Sequence, residues 1–293
     1  MMDTTRLAEE WAEMWPRLTP LQHQGMLSSL LAANRDAPGN DELLGVIVVL
    51  GAETGNGITW PKSLDHIAAM RAALGQLGLA DWRIFNNTAF VLHRGNVFDE
   101  TVTALEGGGI EYRFAPRYLD FLGLIEEERV HLGISEPTLL DVGCWQGTLM
   151  LEMAQRGFQT QGTDIGNTMG PVIAERTALL KAEDRVRVFG FRSGWAHEIL
   201  PEMGQFDIIT CQETLEHVPT AVLEETCEAM LGAARHSILV TVPGWDDGWP
   251  AHLRVFTAEQ LVALFHPDEN DVEVLRPPGV MCYTTVRVRR QQV

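Results

Sequence analysis

From Thr138 onward, short apolar runs alternate with longer stretches whose apolar residues recur every three or four positions. The runs predict buried strands at 138–142, 186–191, 206–211 and 237–242, the more polar 158–164 reads as a further strand ending in Asp164, and the stretches between them predict helices near 147–156, 171–182 and 220–234. Strand–helix alternation of this kind folds as a parallel sheet with helices on both faces. Pro116–Val130 reads as a helix leading into that region. Thr257-Ala258-Glu259-Gln260 opens another, because a Thr and a Gln three residues apart can satisfy each other's backbone donors. Two more strand patterns lie near 272–276 and 282–289.

The first third is patterned differently. Residues 1–35 look helical, with Leu7, Trp11, Met14, Trp15 and Leu18 on one face. After a loop at 36–41 come a strand at Val46–Leu50, a helix over Ser63–Leu77, and a hairpin folded around Asn86-Asn87-Thr88. The loop Gly51–Gly57 is no phosphate cradle, since no Gly-Lys-Ser/Thr follows it. Residues 1–110 are therefore read as a helical segment and a small α/β unit on the substrate side or at a dimer contact, and 111–293 as the main domain. Gly107-Gly108-Gly109 marks a turn between the two.

Composition narrows the class. Hydrophobic residues make up 45% and charged ones 21%, as in ordinary globular proteins. The longest apolar run, Leu43–Leu50, is far short of a bilayer span, and no secretory signal is expected. Cys144, Cys211, Cys227 and Cys282 lie far apart, which suggests reduced thiols and a cytoplasmic protein. A net charge of −18 repels phosphate backbones, so nucleic acid is disfavoured as a partner. Arg287, Arg289 and Arg290 read as one solvated strand face.

The most informative stretch is Leu139-Leu140-Asp141-Val142-Gly143-Cys144-Trp145-Gln146-Gly147. A strand ends in a carboxylate, turns through Gly-x-x-x-Gly and enters a helix, as where doubly wound folds seat a nucleoside. A pyrophosphate loop needs glycine at the position of Cys144 and has no use for a carboxylate at Asp141. A nicotinamide dinucleotide is thus a poor fit. S-adenosylmethionine (SAM) carries a sulfonium and an ammonium but no phosphate, and suits the acidic strand end. The next strand pattern ends at Asp164. An acid about 20 residues past a glycine loop can accept both ribose hydroxyls, while capping of a helix starting near Asn167 is the plainer alternative.

These motifs resemble the class I SAM-dependent methyltransferases over about residues 115–293, through LLDVGCWQG (139–147), GTDI (162–165), FDIITCQETLEHV (206–218), ILVTVPG (238–244) and HLRVFT (252–257). The ETLEHV and HLRVFT pieces are most similar to the small-molecule branch that includes ubiquinone-pathway O-methyltransferases. The resemblance implies a Rossmann-like, doubly wound, mostly parallel seven-stranded sheet with an antiparallel edge. It also implies a cofactor wall of Asp141, Gly143, Cys144 and Gly147 around the methionine part, Asp164 and Ile165 at the ribose, and Gln212 and Glu213 at the exit toward substrate. One departure is Val188-Phe189-Gly190-Phe191-Arg192-Ser193, which has no acid for adenine. Ser193 or a backbone group is left to serve there.

The expected activity is methyl transfer from SAM to a small-molecule acceptor, at oxygen. Methyl transfer is an in-line displacement that asks chiefly for alignment, and a hydroxyl acceptor also needs a base. His217 is the first candidate base and His252 the second. Trp245 and Trp249 could form an aromatic lid or simply pack on the domain. Glu213, Glu216 and His217, at i, i+3 and i+4, would share a face of a helical turn. With His252 they resemble the ligand set of metal-dependent small-RNA 2′-O-methyltransferases. A divalent metal is the less favoured alternative here, as is a SAM-binding partner subunit without turnover. A homodimer through the N-terminal region is the expected assembly.

Overall fold

A computed structural model describes residues 101–114, 116–167, 169–245, 252–275 and 283–291. The chain divides into two units, Met1–Val97 with Asp247–Leu253, and Phe98–Asp246 with Arg254–Val293. The helices, strand and hairpin expected before residue 100 lie outside the described residues, as do Trp249 and Cys282.

The second unit opens with a hairpin absent from the expected elements, β1 (Thr101–Ala104) and β2 (Ile110–Arg113), turned by the left-handed Gly107-Gly108-Gly109. Then follow α1 (Pro116–Leu132), β3 (Thr138–Val142), α2 (Thr148–Gln155), β4 (Gln159–Asp164), α3 (Met169–Leu179), the short α4 (Ala182–Arg185) and β5 (Val188–Ser193). After α5 (Ala196–Met203) and β6 (Phe206–Gln212), a 3-10 turn at Leu215–His217 leads to α6 (Thr220–Ala233) and β7 (Ala234–Pro243). The unit ends with α7 (Ala258–Ala263), β8 (Asn270–Leu275) and β9 (Tyr283–Arg290). Helix α5 was also unexpected, being eight residues long with Pro201 inside it. Thr257 and Gln260 form the capping box at α7.

The sheet order is β5-β4-β3-β6-β7-β9-β8. Strands β5 to β7 run parallel, and β9 is antiparallel to both β7 and β8. The order reverses at β3, whose neighbours are β4 and β6, so the crevice beyond the ends of β3 and β6 is the fold's ligand position. Parallel strands covered on both faces are mostly buried: β6 is buried from Phe206 to Cys211, Asp207 and Thr210 included, and the polar β4 buries Thr160 and Thr163. Phe121, Leu122 and Ile125 of α1 pack with Leu139, Met153, Phe158, Ile208 and Leu239 in the core.

Of the three arginines of β9, Arg290 is exposed as expected, but Arg287 and Arg289 do not lie on a solvated face. Arg287 and Arg289 donate to the fully buried Glu128 of α1, with nitrogen–oxygen separations of 3.2 and 2.8 Å. A carboxylate with no solvent exposure needs such partners, and it draws both guanidiniums inward. Among the described residues, no helix is long and apolar enough to cross a membrane.

Candidate active site

Strand β3 ends at Val142, and the chain reverses through Gly143 (φ 75), Trp145 (φ 48) and Gly147 (φ 76) before α2 begins. Gly143 is required twice over. Its φ is left-handed, and a Cβ there would lie 2.1 Å from Thr214 Oγ1. The loop therefore packs directly on the segment that follows β6. Its backbone is pinned as well: Gly143 and Cys144 N–H donate to Thr163 O at 2.8 and 3.0 Å, and Trp145 N–H donates to Asp164 Oδ2 at 3.2 Å. From α3, Arg176 donates to Thr148 Oγ1 at 3.0 Å and to the Gln146 side chain. Cys144 is buried, and burial pushes its thiol well above the usual range.

Two carboxylates flank this loop. Asp141 is 3% exposed and Asp164 9%. Burial raises the Asp141 carboxyl from its ordinary 3.8 to about 7; the Thr210 hydroxyl, donating at 2.9 Å, pulls it back down, and the charge of Asp164 pushes it further up. Asp164 also accepts from Gly166 N–H at 3.0 Å, so its carboxylate ties the tip of β4 to the glycine loop. Helix α3 starts only at Met169. Ile165 follows, its carbonyl accepting from Ser193 Oγ at 3.3 Å. Buried carboxylates beside a glycine turn favour a cation and oppose a phosphate. These residues fit SAM.

Gln212 closes β6, and Glu213 N–H donates to Thr241 O at 2.8 Å while the Thr241 hydroxyl donates to Glu213 Oε1 at 3.2 Å. Glu213 has φ 51 and precedes the 3-10 turn. The shared helical face expected for Glu213, Glu216 and His217 is therefore not formed, and only the last two lie on the turn. Glu216 is fully buried, and one of its oxygens lies within 4.8 Å of a His217 ring nitrogen. His252 belongs to the other unit. Trp245 is 44% exposed, its ring 6.0 Å from that of Tyr283. Sequence reasoning missed Arg254, which reaches the Leu215–Thr220 segment from 34 to 39 residues away.

Strand order, glycine loop and paired acids together define a class I, SAM-dependent methyltransferase. A family profile described as "Methyltransferase domain" matches residues 110–267, more than half of the chain, and the chain belongs to that family. It is similar to the ubiquinone biosynthesis O-methyltransferase of Pseudomonas paraeruginosa, 38% identical over 112 residues, and to that of Acinetobacter baumannii, 32% identical over 112 residues. Each match covers 38% of this chain and 46% of the relative, so the chain spans less than half the length of these relatives. Among solved structures, the methyltransferase domain of bacterial CtHen1 superposes with a TM-score of 0.50 at 14% identity, covering 59% of this chain and 98% of that one. That likeness is one of fold.

Proposed function

We propose that this enzyme transfers the methyl group of SAM to an oxygen of a small-molecule acceptor, with His217 as the base. The observation that carries this reading is the position of His217, on a turn at the carboxyl end of β6 whose preceding residue, Thr214, packs against Gly143 of the cofactor loop. Similarity to enzymes named as ubiquinone biosynthesis O-methyltransferases supports oxygen as the acceptor atom.

SAM supplies an electrophilic methyl group on a positively charged sulfur. In this reading Asp141, Gly143, Cys144 and Gly147 surround the amino-acid part, and the buried acid draws the ammonium. Asp164 accepts the ribose hydroxyls beside Ile165, and Gln212 and Glu213 line the passage toward the acceptor. His217 takes the hydroxyl proton as the oxygen attacks, and His252 is the second candidate for that task. Among the described residues, Cys144, Cys211 and Cys227 are free and buried, which supports a reducing compartment, so we place the enzyme in the cytoplasm. Residues 1–110 would select the acceptor or join two copies.

The test is methyl transfer from labelled SAM to a panel of small phenols and catechols. His217→Ala should lower turnover by about 100- to 10,000-fold, the usual worth of a general base, and leave SAM affinity nearly intact. Full activity of that variant would eliminate the base. A second reading makes the Glu216–His217 pair part of a divalent-metal site, favoured by the burial of that carboxylate beside the imidazole. Chelation would then abolish activity and added Mg²⁺ or Mn²⁺ would restore it, whereas chelator-resistant turnover rejects it. Methylation of RNA ends in preference to the phenol panel would overturn the small-molecule assignment.

A further inference from the structure

Arg254 sits in the irregular segment before α7 and bonds to the turn that carries His217. One guanidinium nitrogen, Nη1, donates to Leu215 O at 3.2 Å and to Val218 O; the other, Nη2, donates to Thr220 Oγ1 at 2.9 Å. The two carbonyls bracket Glu216 and His217 on either side. A 3-10 turn of three residues has few bonds of its own, here His217 N–H to Thr214 O at 3.0 Å and Val218 N–H to Leu215 O at 3.2 Å. Arg254 adds a second donor to Leu215 O and a side-chain donor to Val218 O. The planar fork can hold several oxygens in one fixed arrangement, which an ammonium on a flexible stem cannot.

Its own placement is equally fixed. The guanidinium carbon stands 5.8 Å from the ring centroid of the buried Phe256, within range of a cation–π contact. Arg254 is also close enough to Glu216 for their charges to interact. A cation held between an aromatic face, a buried carboxylate and the carbonyls of a two-residue segment leaves that segment little freedom. Alignment is what methyl transfer demands, and a displacement of about 1 Å can cost about 100-fold in rate.

We infer that Arg254 is a positioning residue for methyl transfer, fixing the Glu216–His217 segment against the cofactor loop without itself touching cofactor or acceptor. The inference rests on the role proposed for His217.

The full-length protein tests it through Arg254→Ala and Arg254→Lys. Calorimetry with S-adenosylhomocysteine reads the cofactor site, and ¹³C-histidine NMR, assigned by loss of the signal in His217→Ala, reads the His217 ring directly. Labelled SAM with the phenol panel reads turnover. Arg254→Ala should shift the His217 ring resonance, keep S-adenosylhomocysteine affinity, and lower kcat by about 10- to 100-fold with little change in the KM for SAM. Arg254→Lys, which keeps the charge and can still reach a carbonyl, should recover part of both the resonance position and the rate. An unmoved His217 resonance in a folded Arg254→Ala protein would overturn the inference, as would equal loss of cofactor affinity and rate. If Arg254→Ala fails to fold, the Lys variant decides: a wild-type resonance and rate would overturn it, and a shifted resonance with a lower kcat would support it. Absence of wild-type turnover on the panel would instead count against the acceptor proposed above, while the resonance still judges Arg254.

Discussion

Asp141 concentrates the chemistry of this site in one side chain. It is buried, hydrogen-bonded to Thr210 and close to the charge of Asp164, and its carboxyl is raised from 3.8 to about 7. In the ligand-free fold it keeps a proton that the unfolded chain gives up near pH 3.8. Its contribution to stability is therefore full below that value and is lost as the pH rises through about 7. Asn at this position cannot ionise, so the stability of the wild type relative to Asp141→Asn should fall steadily across that window in denaturant titrations. A cationic cofactor reverses the preference by favouring the carboxylate. SAM affinity should accordingly rise with pH through about 7, with proton release on binding, seen as a buffer-dependent heat in calorimetry. Affinity independent of pH, with no proton released, would mean that Asp141 does not face the cofactor's charge.

At the scale of elements, the glycine loop and the segment after β6 act as one piece. Adding a methyl at Gly143 strains a φ of 75 and drives Cβ to 2.1 Å from Thr214 Oγ1. Gly157 is a control, left-handed at φ 96 but with open space around it. Gly157→Ala should cost about 1–2 kcal/mol of stability, the price of the conformation alone. Gly143→Ala should cost more and also weaken S-adenosylhomocysteine binding, and Thr214→Gly added to it should recover part of the affinity. Equal costs at the two glycines would dismiss the contact. The loop was readable from sequence because its requirements are local: a carboxylate, two glycines and a strand-to-helix switch within nine residues. Strands β6 and β7 were legible from Ile208-Ile209 and Ile238-Leu239-Val240, whereas β4, with no apolar side chain, was legible only from its place after the glycine loop and its closing acid. The hairpin at 101–113 was not, because its strands have four residues each. Helix α5 was hidden by its length and by Pro201. Arg254 stands in the HLRVFT motif, but its role left no local signal, since its partners are 34 to 39 residues away and two of them are backbone carbonyls.

Over the whole molecule, a net charge of −18 makes every carboxylate a source of general repulsion, so removing one should help on charge alone. Glu128 is where that expectation should fail. It is fully buried on α1 and receives Arg287 and Arg289 of β9, whose side chains keep 13% and 29% exposure. Glu128→Ala would take this counter-ion from Arg289, leave Arg287 with only Glu273 and Glu127, and open space beneath them. Breaking a buried ion pair from one side typically costs about 3–5 kcal/mol. Partial hydration of the arginines places the expected loss near the lower end, about 3 kcal/mol. Relief of distant repulsion is far smaller, because exposed charges are screened beyond about 10 Å at 0.1 M salt. The denaturation midpoint should therefore drop at all salt concentrations. Glu128→Gln, which still accepts hydrogen bonds, should lose less, and S-adenosylhomocysteine affinity should stay unchanged, since Glu128 bonds to neither the glycine loop nor the turn after β6. If Glu128→Ala were instead stabilised at low salt and neutral at high salt, long-range repulsion rather than the α1–β9 bridge would govern this face of the fold.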